Sequence, residues 1–217
     1  ILQLMPATSG ETLLFGEPVK RRERGVFQRI GAIIETPGFY PNLTGTENLE
    51  IFAKLRGTIR PDAVEHALQV VGLPYKDKKL FGEYSLGMKQ RLGIANAIMH
   101  DPELLILDEP TNGLDPAGIQ EMRALIHDMP DACGATVLIS SHLLGEMEQI
   151  VSQVGIINHG QLLFEGPLTE LQRHSRGNVV LRLLAPDRGA TVLRRYGLTP
   201  QALRQQVSKV VGKGAED

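Results

Sequence analysis

Cysteine is nearly absent: Cys133 is the single one in 217 residues. That excludes an internal disulfide framework and suits a reducing, cytoplasmic setting. No excess of positive charge exists either. Lys and Arg number 23 against 25 Asp and Glu, for a net charge of −2 and a pI near 6.3. Without a basic field the electrostatic term that dominates nucleic-acid affinity has no source, so no nucleic-acid partner is expected. No apolar run approaches the roughly 20 residues of a membrane-spanning helix. Any membrane role is therefore expected to run through a partner. The first residues show no basic segment followed by an apolar run, so no secretory signal is read there. No internal repeat or low-complexity segment is visible.

What is present suits a packed α/β protein. Apolar residues make up 42% of the chain, enough for one domain, or one domain with a small appendage. Leu104 to Leu107 and Thr136 to Ile139 are continuous apolar runs, as expected of parallel strands buried on both faces. Between them Pro116 to Met129 reads as a helix with proline at its first position. Val154 to Ile157 and Gln161 to Glu165 flank Asn158, His159 and Gly160, a hairpin signal that predicts a mixed sheet at that edge. From Asn48 to Met99 the pattern is helical instead. Pro61 to Val71 repeats Ala63, Ala67, Leu68 and Val71 and stops at Gly72. A second helix over 86–99 sets Met88, Leu92, Ala95 and Met99 on one face and ends before Pro102. The expected organisation is an α/β core over 1–34 and 101–170, a helical insertion over 35–100, and a small extension over 171–217.

Four segments carry chemistry. Leu104 to Pro110 reads L-L-I-L-D-E-P, so Asp108 and Glu109 fall at the carboxyl end of a strand, where α/β proteins bind ligands. Asp108 can hold Mg²⁺, and Glu109 can take a proton from an attacking water. The same residues also suit a strand that ends in a solvated acidic turn. Ser85 to Arg91 (S-L-G-M-K-Q-R) opens a helix with Ser85 as N-cap, leaving amides that can bind phosphate oxygens. Gly87 would let an anion approach the backbone; an ordinary capped helix looks the same. His142 follows Ser140 and Ser141 after the second apolar run, where it can contact a phosphate or a water, or be a plain loop residue. Asn112 to Pro116 (N-G-L-D-P) is a turn into a helix.

Each signal is modest alone. Their order, all between Ser85 and His142, resembles the ABC ATPases, and the likeness extends to about Glu170. It implies a P-loop NTPase fold of ABC type, incomplete at the N-terminus, with a mixed sheet, helices and an inserted helical subdomain. Ser85, Leu86, Gly87 and Gln90 would belong to the signature motif, which meets ATP bound to a second subunit. Asp108 would bind the metal, with Glu109 as catalytic base and His142 as switch histidine. Asp115 would close the D-loop at the dimer interface. The expected cofactors are ATP and Mg²⁺. The expected partners are a transmembrane permease subunit, met near Glu35 to Leu43, and a second ATPase subunit in a head-to-tail dimer. The implied location is the inner face of the cell membrane.

Two departures narrow the likeness. The signature reads S-L-G-M-K-Q, and Glu35 stands where the family carries glutamine. With E-T-P-G-F-Y-P following, both resemble the bacitracin- and lantibiotic-type exporters, which implies antimicrobial-peptide export or immunity. Glu35 keeps a metal-binding oxygen but cannot donate a hydrogen bond as an amide does. A third departure is an absence: no G-x-x-x-x-G-K-[ST] occurs, so the loop that cradles phosphates is missing. Residues 1–11 resemble the end of the helix that follows that loop, with a strand from Thr12 to Phe15 next. The expectation is a chain that starts just past the motif and does not hydrolyse ATP by itself. Two other readings stand beside the transporter motor: a soluble ABC-type ATPase acting on ribosomes or DNA, and a non-catalytic ABC fragment.

Overall fold

The computed structural model describes residues 2, 4, 7–19, 24–34, 38–57, 60–142, 145 and 148–174. Glu35 and nearly all of the 171–217 extension lie outside them. The chain divides into two compact units, residues 1–151 and 152–217.

The first unit opens on a two-residue ladder, β1 (Leu13–Leu14) against β2 (Glu17–Pro18). The strand expected over Thr12 to Phe15 is shorter because Phe15 and Gly16 both take positive φ, 54° and 80°, and form the turn. The described residues from Ala7 to Glu11 adopt no helix, unlike the helix end expected there. Helix α1 (Arg24–Gln28) leads into β3 (Ile30–Ile33). Then come α2 (Gly45–Arg56), α3 (Ala63–Val70), a 3₁₀ turn at Phe81–Glu83 and α4 (Leu86–Ile98). Strand β4 (Leu104–Asp108), helix α5 (Pro116–Cys133) and strand β5 (Thr136–Ser140) complete the described α/β core.

Strands β3, β4 and β5 form a parallel sheet in that order, with Ile30 beside Leu104 and Leu104 beside Thr136. Parallel pairing in register makes all three strands end at one level, which defines the carboxyl edge. Leu105 and Leu107 are fully buried on one face. On the other, Leu104 and Ile106 pack on a small cluster of Leu14, Val26 and Ile30. The expectation that β5 is buried on both faces is not met: Leu138 is 43% exposed. Among the described residues β5 borders β4 alone, so an edge position replaces the interior one that its sequence suggested.

The helices bury their predicted apolar positions in α3 and depart from the expected pattern in α4 and α5. Helix α2 starts at a Thr44–Glu47 capping box, each residue's side chain bonding the other's backbone amide, which satisfies two amides without helical partners. Ala63, Ala67 and Leu68 of α3 are buried. Helix α4 is buried more widely than the single face expected, over Leu92–Ala95 and Ala97–Ile98, because β3, α2, α3 and α5 all contact it. Its approach to β3 requires a glycine: a Cβ on Gly31 would sit 2.1 Å from the Ala97 carbonyl oxygen. Arg91 ties three helices, donating to the Val71 carbonyl at 3.1 Å and to Glu121 at 2.8 Å. Helix α5 runs one turn past the expected stop, through Pro130 to a left-handed cap at Gly134. Its stripe of Met122, Ile126 and Met129 is buried, and Cys133, one turn further on, packs against the same core.

The second unit, as described, holds β6 (Gln153–Asn158), β7 (Gln161–Pro167) and α6 (Leu168–His174). His159 and Gly160 both have positive φ, the two-residue turn that matches strand twist. This hairpin is its own antiparallel sheet. Among the described residues both strand directions are present, in separate ladders. Among the described residues no helix is long and apolar enough to cross a membrane.

Candidate functional site

The carboxyl edge of the parallel sheet gathers three of the expected residues. β4 delivers Asp108 as its last residue, exposed, and Glu109 directly after it. Alternation along the strand turns Leu105 and Leu107 into the core, and the chain breaks out of the sheet at Glu109. There φ is +47°, a left-handed conformation that costs a non-glycine residue about 1–3 kcal/mol. Pro110 and Thr111 after it are buried, and the Asn112 amide donates back to the Glu109 carbonyl at 3.0 Å. The turn is therefore anchored, and the strain is held by its surroundings.

Glu109 reaches His142, which follows β5. His142 Nδ1 lies 3.0 and 2.9 Å from the two carboxylate oxygens. A carboxylate only accepts, so Nδ1 carries the proton and donates to it. The Glu109 carboxylate keeps lone pairs for another donor, such as a water, and its side chain is one-third exposed. This combination can take up a proton at a position fixed by the imidazole.

Ser140, the last residue of β5, stands opposite Asp108 in the register. Its hydroxyl donates to Asp108 Oδ1 at 2.5 Å and accepts from the Glu109 amide at 3.1 Å. The same amide also lies 3.2 Å from the Ser140 carbonyl. In the sequence Ser140 stands out only as a neighbour of His142. The cross-strand pairing that sets it against Asp108 cannot be read from one strand.

The α4 start forms a second cluster. Ser85 is the N-cap and accepts from the Met88 amide at 3.3 Å; Ser85 and Leu86 are exposed and Gly87 is half-buried. Gln90, one turn on, is buried at 8% exposure, so its side chain lies on the packed side of the helix and not with the exposed cap. Leu86 abuts the Asn112–Asp115 turn: a Cβ on Gly113, where φ is +76°, would come within 3.1 Å of Leu86 Cδ2. Asp115 caps α5, accepting from the Gly118 amide at 2.9 Å. One Asp115 oxygen is thus committed to the helix. Glu35, the remaining expected metal ligand, lies outside the described residues.

Comparison with known proteins agrees with the fold. A family model described as "ABC transporter" matches residues 1–112. The chain is 48% identical over 196 residues to the bacitracin transport ATP-binding protein of Bacillus licheniformis, covering 90% of this chain and 64% of that protein. It is 42% identical over 162 residues to the lantibiotic transport ATP-binding protein of Streptococcus pyogenes, covering 75% and 69%. It thus spans less than two thirds of the bacitracin relative and slightly more than two thirds of the lantibiotic one. Among solved structures, cbiO1 from Clostridium perfringens, described as part of the ABC transporter complex cbiONQ, superposes with a TM-score of 0.71. That match has 23% identity and covers 90% of this chain and 78% of that one; it speaks for the fold alone. With more than half of the chain inside the family model and a 42% identical relative covered over more than two thirds, the chain belongs to the ABC transporter family.

Proposed function

We propose that this chain works as the ATP-hydrolysing motor of a bacterial exporter of the bacitracin and lantibiotic type, serving antimicrobial-peptide export or immunity. The observation that carries the reading is the Glu109–His142 pair beside Asp108 at the carboxyl edge of the sheet. Glu109 takes the proton of the water that attacks the γ-phosphate, and His142 holds the carboxylate in place. Asp108 is an exposed hard-oxygen donor, which fits Mg²⁺. Mg²⁺ is usually held by one or two carboxylates together with nucleotide phosphates; Glu35 would be the second carboxylate. When bound, Mg²⁺ supplies charge neutralisation on the phosphate oxygens.

Ser85, Leu86 and Gly87 present the amide end of α4 to ATP held by a second copy in a head-to-tail dimer. Gln90 acts from within that helix, and Asp115 stands at the interface turn. Residues 35–100 form the helical insertion between core segments 1–34 and 101–170. A transmembrane permease docks near residues 35–43, which keeps the motor at the inner face of the membrane, with no nucleic-acid partner. The test uses a protein that carries these residues behind a phosphate-binding loop. Glu109→Gln should lower ATP turnover by about 10²–10⁴ while ATP binding survives; near-normal turnover would overturn the assignment.

A further inference from the structure

We infer that Ser140 is a positioning residue whose hydroxyl sets Asp108 and Glu109 in register with each other. The inference rests on the reading of those two carboxylates given above. A serine hydroxyl offers one proton and two lone pairs, and both kinds of bond are used here. The proton goes to Asp108 Oδ1 at 2.5 Å, and a lone pair takes the Glu109 amide at 3.1 Å. One side chain therefore links the carboxylate of the first acid to the backbone of the second.

Each bond has a separate consequence. Committing Oδ1 of Asp108 fixes the carboxylate plane and turns Oδ2 into the oxygen available to a cation. Holding the Glu109 amide supports the left-handed turn at φ +47°, which aims the Glu109 side chain at His142. The β4–β5 ladder would supply the contact to the Ser140 carbonyl, 3.2 Å away, with any residue at 140. The two hydroxyl bonds need serine or threonine. Ser140 is itself exposed, so its hydroxyl is not there to fill the core.

Ser140→Ala keeps the strand, the register and the carbonyl contact and removes the hydroxyl alone. Ser140→Thr keeps the hydroxyl on a residue that favours strands. Loss of an outer partner of a metal-binding carboxylate typically costs about 10–100-fold in metal affinity or activity. In a protein carrying these residues behind a phosphate-binding loop, Ser140→Ala should lower kcat by about that factor. It should raise the Mg²⁺ concentration for half-maximal rate and leave KM for ATP unchanged. In the 217-residue chain, read by hydrogen exchange with no nucleotide present, the same variant should speed exchange at the Glu109 amide. Ser140→Thr should restore both. An alanine variant with wild-type kcat and wild-type Glu109 protection, beside an inactive Glu109→Gln, would overturn the role of Ser140 and leave the reading of Glu109 intact. A threonine variant as impaired as the alanine variant would also overturn it. An active Glu109→Gln would instead overturn the reading on which the inference rests.

Discussion

In helices α2 to α4 the inward positions are apolar and closed to water, with Leu49, Leu68, Leu92 and Ile94 fully buried. At the carboxyl edge of the sheet, a short distance along the same chain, the side chains are polar and reachable. Asp108 and His142 are exposed, and Glu109 sits on a strained backbone. The first region gains free energy from every methylene it removes from water. The second holds an unfavourable φ at Glu109 and keeps two carboxylates within reach of water. The contrast teaches that this unit keeps its stability and its chemistry in different places. Substitutions in the two regions should therefore fail in different ways.

The largest stability effect belongs to the helical region. Leu92→Ala should destabilise the unit by about 2–5 kcal/mol, read by denaturant unfolding. The fraction that stays folded should keep its turnover once a phosphate-binding loop is supplied. A variant with full stability and lost turnover would erase the contrast. Ser85→Arg lies between the regions, at the exposed start of a buried helix. Losing the cap should cost roughly 1 kcal/mol, and the monomer should stay folded. ATP-dependent association, followed by size-exclusion chromatography, should disappear; a surviving ATP-dependent dimer would remove the role assigned to that helix end.

The smallest effect is a pH dependence at the foot of α4. His100 lies 3.1 Å from the Ile30 carbonyl through Nε2, while its Nδ1 is buried without a partner. Burial, helped by the nearby Arg56 charge, holds its pKa below the ordinary histidine value, against smaller opposing effects of the Ile30 carbonyl and Asp101. The folded state thus prefers the neutral ring. Its contribution to stability is complete above the unfolded value of about 6.5. It is lost as pH falls from there toward the lowered folded value. Unfolding midpoints for wild type and His100→Gln should converge as pH drops below about 6.5. Parallel curves would show that His100 does not contribute.

Much of the site was legible because it depends on short stretches of sequence. Asp108 and Glu109 stand out where a buried apolar run turns acidic, and Ser85 where a good N-cap precedes an apolar period. The hairpin at His159 and Gly160 follows from turn chemistry alone. What depends on pairing was hidden. Ser140 meets Asp108 only through the β4–β5 register. The exposure of Leu138 follows from β5 having one described neighbour, and the burial of Gln90 from how many elements surround α4. Proline disfavours a helix interior by local rules, yet α5 continues through Pro130. Packing of the α5 stripe carried the helix past it.

The central claim is that Glu109 is the base for ATP hydrolysis at this edge. The most direct measurement is the identity of the nucleotide that Glu109→Gln retains after mixing with Mg²⁺ and ATP. The protein used must carry these residues behind a phosphate-binding loop. With Glu109 as the base, the variant should hold intact ATP in a closed dimer while the wild type releases ADP and phosphate. Recovery of ADP from the variant at the wild-type rate would contradict that role.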